Sequence, residues 1–327
     1  MNKELEIWRF AAKKLKQNEQ IVLLVVAESS GSSPGRKGFK MVVAQDGLCG
    51  SIGGGVMEVN LAGQARSLLT APPASVDASN SLIRHQVHQK NSPDQSGMIC
   101  SGKQTVIFFK LNPSHLETLR EITGALEKNA QKILRITRGE FNLRALKKKE
   151  HPDSWTQNKD STEFTYEEKL GHTNKLFIVG GGHCALALSE LMSKMDFYIS
   201  LFDDRPGLNT LDKNKFVHRQ NIVESYENIA EFIPGGEDHF VVVMTLGYKS
   251  DELVIRKLLG REFKYFGVLG SKAKMKTLLK ELEKDEFTRA QLEKIRTPIG
   301  LPINSRTPEE IAVSIAAEII AVKNSAK

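Results

Sequence analysis

LFIVGGGHCALALSE, Leu176 to Glu190, sets an apolar run directly before three glycines and a helix-like pattern directly after them. Gly180, Gly182 and Ala185 fit GxGxxA between a strand and a helix, the context in which that pattern marks a dinucleotide-binding fold. It calls for a turn with unusual dihedrals, close backbone approach to a pyrophosphate, and a small residue where helix meets strand. An anion would then rest at the helix N-terminus, held by free N–H groups and the macrodipole. The next apolar strand ends in Asp203 and Asp204, the former 21 positions after Gly182, where a carboxylate can accept from ribose hydroxyls. An acid there favours an unphosphorylated ribose, as in NAD or FAD. A tight turn with nothing bound is the alternative.

Outward from this turn the pattern stays regular. Strands KLFIV, FYISLF, HFVVVM and KYFGVL alternate with helices, one beginning near Gly182 and one near Glu252 to Leu259. Alternation of this kind implies parallel βαβ units with both sheet faces covered. Upstream, polarity rises between Lys148 and Asn174 and no helical or strand period persists, so this stretch reads as a connection. Before it lie a helix at Leu5 to Leu15, the strand IVLLVVA at Ile21 to Ala27, and a hairpin around Asp46-Gly47. The expected fold is α/β: an N-terminal mixed α/β domain over 1–147, a linker over 148–174, and a C-terminal Rossmann-like parallel sheet over 175–327. A length of 327 residues suits two such cores.

Composition excludes several classes. Apolar residues at 40% and charged residues at 26% are ordinary globular usage. The longest aliphatic run, Ile21 to Ala27, falls far short of the ~20 residues a membrane helix needs. MNKELEIWRFAAKKLKQ lacks the parts of a signal peptide, so a cytoplasmic location is expected, with no membrane association. Cys49, Cys100 and Cys184 form no CxxC pair, which argues against a disulfide framework or a tetrahedral zinc site; reduced thiols are expected. The net charge of +7 is scattered, giving no nucleic-acid face but remaining compatible with an anionic small ligand.

The N-terminal half has its own glycine turn. Gly53, Gly54 and Gly55 precede a helical pattern, and the loop Ser29 to Gly38, with Ser33, Arg36 and Lys37, suits a backbone cradle for an anion. It is not a P-loop, and a plain long loop is the other reading. Cys100, among Gly and Ser with Lys103 close by, reads either as a buried apolar residue or as an exposed thiolate. Cys49 and Cys184 are assigned to packing. His85 and His88, three apart on a strand, point to opposite faces and make a poor metal pair. No paired carboxylates, Ser-His-Asp set or HExxH appears.

GSSPGRKGFKMVV, GSIGGGVMEV, GMICSGKQ, IVGGGHCALAL, SLFDDRP, YFGVLGSKAK and TPIGLPINSRTPEEIAVSIAAEI together resemble the XdhC/CoxI family, the xanthine dehydrogenase accessory proteins. The last block also carries a capping box, with Thr307 as N-cap, Pro308 at the first helical position and Glu310 three after the cap, and reads as a packing helix. Ser271 and Lys272 open a helix on the ligand edge of the sheet and are candidate phosphate contacts, surface solvation being the alternative. The resemblance implies binding of the molybdenum cofactor, support of its sulfuration by a cysteine desulfurase-type donor, and transfer to a xanthine dehydrogenase-type apoenzyme. It also implies that both domains contribute to the ligand and that Cys100 is the metal-facing thiol. The chain departs from the family at Val56, Leu246 and Arg296-Thr297, where the family tends to carry cysteine or histidine, and at Ser101, which replaces the middle glycine of the usual CGG. An NAD(P)- or FAD-dependent oxidoreductase is the rival reading, and a homodimer through the Ile311 to Val322 helix is the expected assembly.

Overall fold

The computed structural model describes residues 3–70, 81–87, 102–147, 150, 153–158, 163–285 and 287–325. Two compact units divide between Gly171 and His172.

The first unit holds α1 (Lys3–Lys16), β1 (Ile21–Ser30), β2 (Lys40–Val43), β3 (Leu48–Gly50), α2 (Gly55–Thr70), β4 (Ser81–Val87) and β5 (Lys103–Leu111). It continues with α3 (Leu116–Glu127), β6 (Lys132–Thr137), β7 (Phe141–Ala145), β8 (Ser154–Gln157) and β9 (Phe164–Leu170). An antiparallel sheet of order β3-β2-β1-β5-β4 has β1 at its centre. Side chains alternate along a strand, so Ile21, Leu23 and Val25 enter one core with α1 and α3, and Val22, Leu24 and Val26 enter another with α2. That double burial explains why IVLLVVA is apolar at every position; each such side chain contributes roughly 1.5–3 kcal/mol. The expected hairpin is present, closed by Ala44 N–H donating to Gly47 O at 2.9 Å, and Lys14 holds Asp46 at 2.6 Å.

The polar stretch expected to be a linker is not one. It carries β8 and β9, and β9 is an inner strand of a second antiparallel sheet, β7-β6-β9-β8. Phe164, Tyr166, Glu168 and Leu170 alternate inward with full burial on one face. Glu168 disguises the period, since a carboxylate at a core position looks like surface. It is compensated by Lys40 at 2.7 Å and the Tyr166 hydroxyl at 2.6 Å, as a buried charge requires.

The second unit alternates β10 (Asn174–Val179), α4 (His183–Met192), β11 (Phe197–Asp203), α5 (Asn209–Lys213), β12 (Arg219–Ile222), α6 (Ile229–Phe232), β13 (Gly236–Val243), α7 (Tyr248–Leu258) and β14 (Phe263–Val268). It closes with α8 (Lys272–Lys284), α9 (Arg289–Leu292) and α10 (Pro308–Asn324). All pairings in the sheet β12-β11-β10-β13-β14 are parallel. Phe177, Val179, Val241 and Val243 face a core shared with α7 and α8, and Leu176, Ile178, Phe240 and Val242 face one shared with α4 and α10. The α/β expectation for this half therefore holds, and its four expected strands are β10, β11, β13 and β14. The Thr307 capping box also forms: Thr307 Oγ1 accepts from Glu310 N–H at 3.3 Å, and Glu310 accepts from Thr307 N–H at 3.1 Å. β12, sequence RQNI, lies on the sheet edge and has no apolar pattern by which to recognise it.

Candidate functional site

The chain steps from β10 outward to β11 and β12, and from β13 the opposite way to β14. Such a reversal opens a crevice at the carboxyl ends of the two central strands. Gly180 to Gly182 follow β10 there, and Thr245 to Gly247 follow β13. Gly180 has φ +108°, and a Cβ would collide with the Met244 carbonyl, so both backbone conformation and contact demand glycine. Gly182 is different: its φ is −71°, and a Cβ would meet no heavy atom within 4 Å. What it provides is open space. Ala185 is fully buried under the sheet.

The helix starts of this unit differ in capping, and the short α5 and α6 begin without a side-chain cap. Ser271, Thr288 and Thr307 close the starts of α8, α9 and α10 with their own side-chain oxygens. α4 and α7 open at Gly182 and Gly247 with no side-chain cap. Uncapped helix starts leave donors for another anion.

Asp203, expected to accept from a ribose, is fully buried at the end of β11. Its Oδ2 accepts from Gly181 N–H at 2.6 Å and Arg205 Nη2 at 2.8 Å, and its Oδ1 from Arg205 N–H and Nε, both at 2.9 Å. Burial pushes this carboxyl up, but the Arg205 guanidinium with the N–H groups of Gly181 and Arg205 more than reverses that and holds it below the usual aspartate range. The carboxylate thus fixes the glycine turn, with both of its oxygens engaged. Thr210 completes the bracing by donating to Gly181 O at 2.5 Å.

Across the crevice, buried Asp251 accepts from Thr245 N–H at 3.0 Å, Thr245 Oγ1 at 2.6 Å and Lys274 Nζ at 2.8 Å. Ser271 spends its hydroxyl capping α8 by accepting from Lys274 N–H, while Lys272 is exposed on the first turn. Lys274, not selected from sequence, is the cation of this helix tied to the strand ends.

In the first unit, Ser33 is buried and donates to Gln104 Oε1 at 2.8 Å, and Gln104 Nε2 donates to Ile52 O at 3.2 Å. The Ser33 loop and the Gly53 loop are thereby pinned together, so tightly that a Cβ on Gly53 would strike the Gly35 backbone. Arg36 is exposed and donates to Gly31 O. Gly53, Gly54 and Gly55 all have positive φ, as a turn of this shape needs. Their anion is already present: Glu58 Oε2 accepts from Ser51 Oγ at 2.6 Å, Ile52 N–H at 2.8 Å and Gly54 N–H at 2.9 Å. Burial raises the Glu58 carboxyl, and these donors bring it below the usual range.

Cys100 and His88 lie outside the described residues. Cys49 and Cys184 pack beside the cores, and burial pushes both thiols up, in keeping with their assignment to packing. His85 sits beside the Thr105 hydroxyl at 3.2 Å. Among the described residues, no group of three or more His, Cys, Asp or Glu could hold a metal ion, and no helix is long and apolar enough to cross a membrane. A cavity of about 910 Å³ along β6 and β9 and another of about 610 Å³ beside β14 contain none of the candidate residues.

A family model described as the XdhC Rossmann domain matches residues 176–319, and one described as the XdhC and CoxI family matches residues 14–76. The chain belongs to the XdhC/CoxI family. This XdhC/CoxI chain is 23% identical over 327 residues to "Uncharacterized protein YqeB" of Escherichia coli K12, covering 98% of the chain and 47% of that protein. It is 28% identical over 163 residues to a probable xanthine dehydrogenase subunit of Bacillus subtilis 168, covering 49% of the chain and 46% of that protein. The chain spans about half the length of these curated relatives. A crystal structure described as a xanthine dehydrogenase from Bacillus halodurans superposes with a TM-score of 0.73 at 21% identity, covering 100% of this chain and 97% of that one, which shows a shared fold. The XdhC Rossmann match runs from β10 to α10 and contains the whole switch-point crevice.

Proposed function

We propose that this XdhC/CoxI protein is an accessory factor of a xanthine dehydrogenase-type molybdoenzyme, taking the molybdenum cofactor as cargo and presenting it for sulfuration and insertion. One observation carries the reading: at the switch point, α4 begins uncapped beside an open glycine, while α8, α9 and α10 cap themselves. The donor set there suits the phosphate end of a pterin cofactor, with N–H groups at the helix start and cations from Arg205 and Lys274 nearby. When bound, the cofactor would supply its own metal and dithiolene chemistry; the residues of this chain bind and orient it. Cys100 is our proposed soft ligand on the metal side, since sulfur suits a molybdenum-sulfur centre better than a carboxylate does. A cysteine desulfurase-type donor and the apoenzyme are the partners this role requires.

The NAD- or FAD-dependent form of the oxidoreductase reading needs a carboxylate free to take a ribose, and Asp203 is engaged on both oxygens. Anaerobic isothermal titration with molybdenum cofactor, beside NAD, tests the choice. Cofactor binding at micromolar strength, weakened by Cys100→Ala, and activation of an apo-xanthine dehydrogenase by the loaded protein are expected. Binding of NAD alone would replace the carrier role with a redox one.

A further inference from the structure

Dinucleotide-binding sheets place a free carboxylate at the end of the second strand, where it accepts from a ribose diol. An ionised carboxylate offers about four acceptor positions. In Asp203 they are filled by Gly181 N–H, Arg205 N–H, Arg205 Nε and Arg205 Nη2, and the side chain is fully buried. Nothing remains for a diol.

The cation in this pair is placed differently. A guanidinium has five N–H donors. Asp203 takes Nε and one hydrogen of Nη2, and Asp204 lies 3.8 Å from Nε, beyond hydrogen-bond reach. The remaining donors on Nη1 and Nη2 find no acceptor among the described residues, and the side chain is 31% exposed. Arg205 Nη2 and Gly181 N–H share the same Oδ2, so the guanidinium lies within two hydrogen-bond lengths of the glycine turn.

We propose that the Asp203–Arg205 pair sets the ligand class of the crevice, which takes a phosphomonoester on Arg205 and rejects a ligand that offers a bare ribose diol to Asp203. The proposal rests on reading this crevice as the cofactor site. Asp203 is then a positioning residue, and Arg205 the residue that touches the ligand. A planar fork held by one carboxylate presents its other edge to phosphate in fixed orientation, which a lysine cannot reproduce. The terminal phosphate of molybdopterin and the 2′-phosphate of NADP share this chemistry.

Titration of NADP, NAD and molybdopterin into the full chain and into Arg205→Ala and Arg205→Lys tests it, with thermal melting to confirm folding. NADP is expected to bind about tenfold or more tighter than NAD, the worth of one charge-assisted hydrogen bond. Arg205→Ala should weaken NADP and molybdopterin by a similar factor and, by freeing Asp203, strengthen NAD, a gain that a purely structural role does not produce. If that variant fails to fold, Arg205→Lys decides: weaker NADP or molybdopterin supports the proposal, and unchanged affinity overturns it. NAD binding as tightly as NADP in the wild type overturns it as well. Should neither dinucleotide bind, the molybdopterin arm alone decides. If molybdopterin fails to bind while NADP still exceeds NAD, the carrier role falls and the phosphomonoester preference stands. Failure of every ligand sinks both.

Discussion

Two glycine triplets open helices in this chain, and they are in opposite states. At Gly53 to Gly55 the chain closes the turn on itself, with the Glu58 carboxylate accepting two backbone N–H groups. At Gly180 to Gly182 the internal carboxylate, Asp203, takes Gly181 N–H from the turn and its other donors from Arg205, and the start of α4 has no side-chain cap. Three glycines at a helix start can therefore mean a turn closed by the chain's own carboxylate or a helix start left uncapped. The carboxylate four residues into the helix, or its absence, makes the difference.

The largest effect should come from within the second triplet. Gly180→Ala forces a side chain into the Met244 carbonyl at a positive φ and is expected to destabilise by roughly 3 kcal/mol or more, whereas Gly182→Ala should stay within about 1 kcal/mol. Urea unfolding of the two variants measures the contrast, and equal losses would break it.

Arg205→Ala comes next, at about 2–4 kcal/mol near neutral pH, because it leaves the buried Asp203 charge without its main partner. The pH dependence has a definite sign. The depressed folded-state pKa of Asp203 gives stability that is fully present above its unfolded value near ~3.9 and is lost as pH falls through the folded value. Without Arg205, burial favours the protonated acid, so the gap between wild type and variant should narrow as pH drops from 7 to 3. A constant gap in unfolding midpoints over that range would place the effect elsewhere.

Glu58→Gln should cost less, about 1–2 kcal/mol, since the amide oxygen can still accept but the charge at the α2 start is gone. Removing that charge should also let inorganic phosphate raise the melting temperature of the variant more than that of the wild type.

Much of the second unit was legible in sequence because a fully buried parallel sheet writes itself as unbroken apolar runs, and α10 announces its start through Thr307, Pro308 and Glu310. The first unit hid β9, because a core position is held by Glu168, whose partner Lys40 is 128 positions away in the chain. No local period reveals such a pair. At the site, GxGxxA located the turn correctly, but the role given to Asp203 missed Arg205 two residues on, although FDDRP shows both. Strand-end acids followed at i+2 by arginine should be read as pairs. Glu58 carries a similar signal, a carboxylate one helical turn past three glycines, which helical spacing alone does not separate from the rest of α2. Lys274 and Asp251 come together through tertiary structure alone.

The most direct test turns the open turn into the closed one. Gly182→Asp places a carboxylate at the N-cap of α4, where a Cβ has free space, and the backbone there is extended as a capping residue requires. Anaerobic titration of molybdopterin into wild type and Gly182→Asp, with melting curves alongside, should show equal or slightly higher stability, by about a few tenths of a kcal/mol, and at least about tenfold weaker binding. Undiminished binding in a folded, capped variant would contradict the claim that this helix start receives the cofactor.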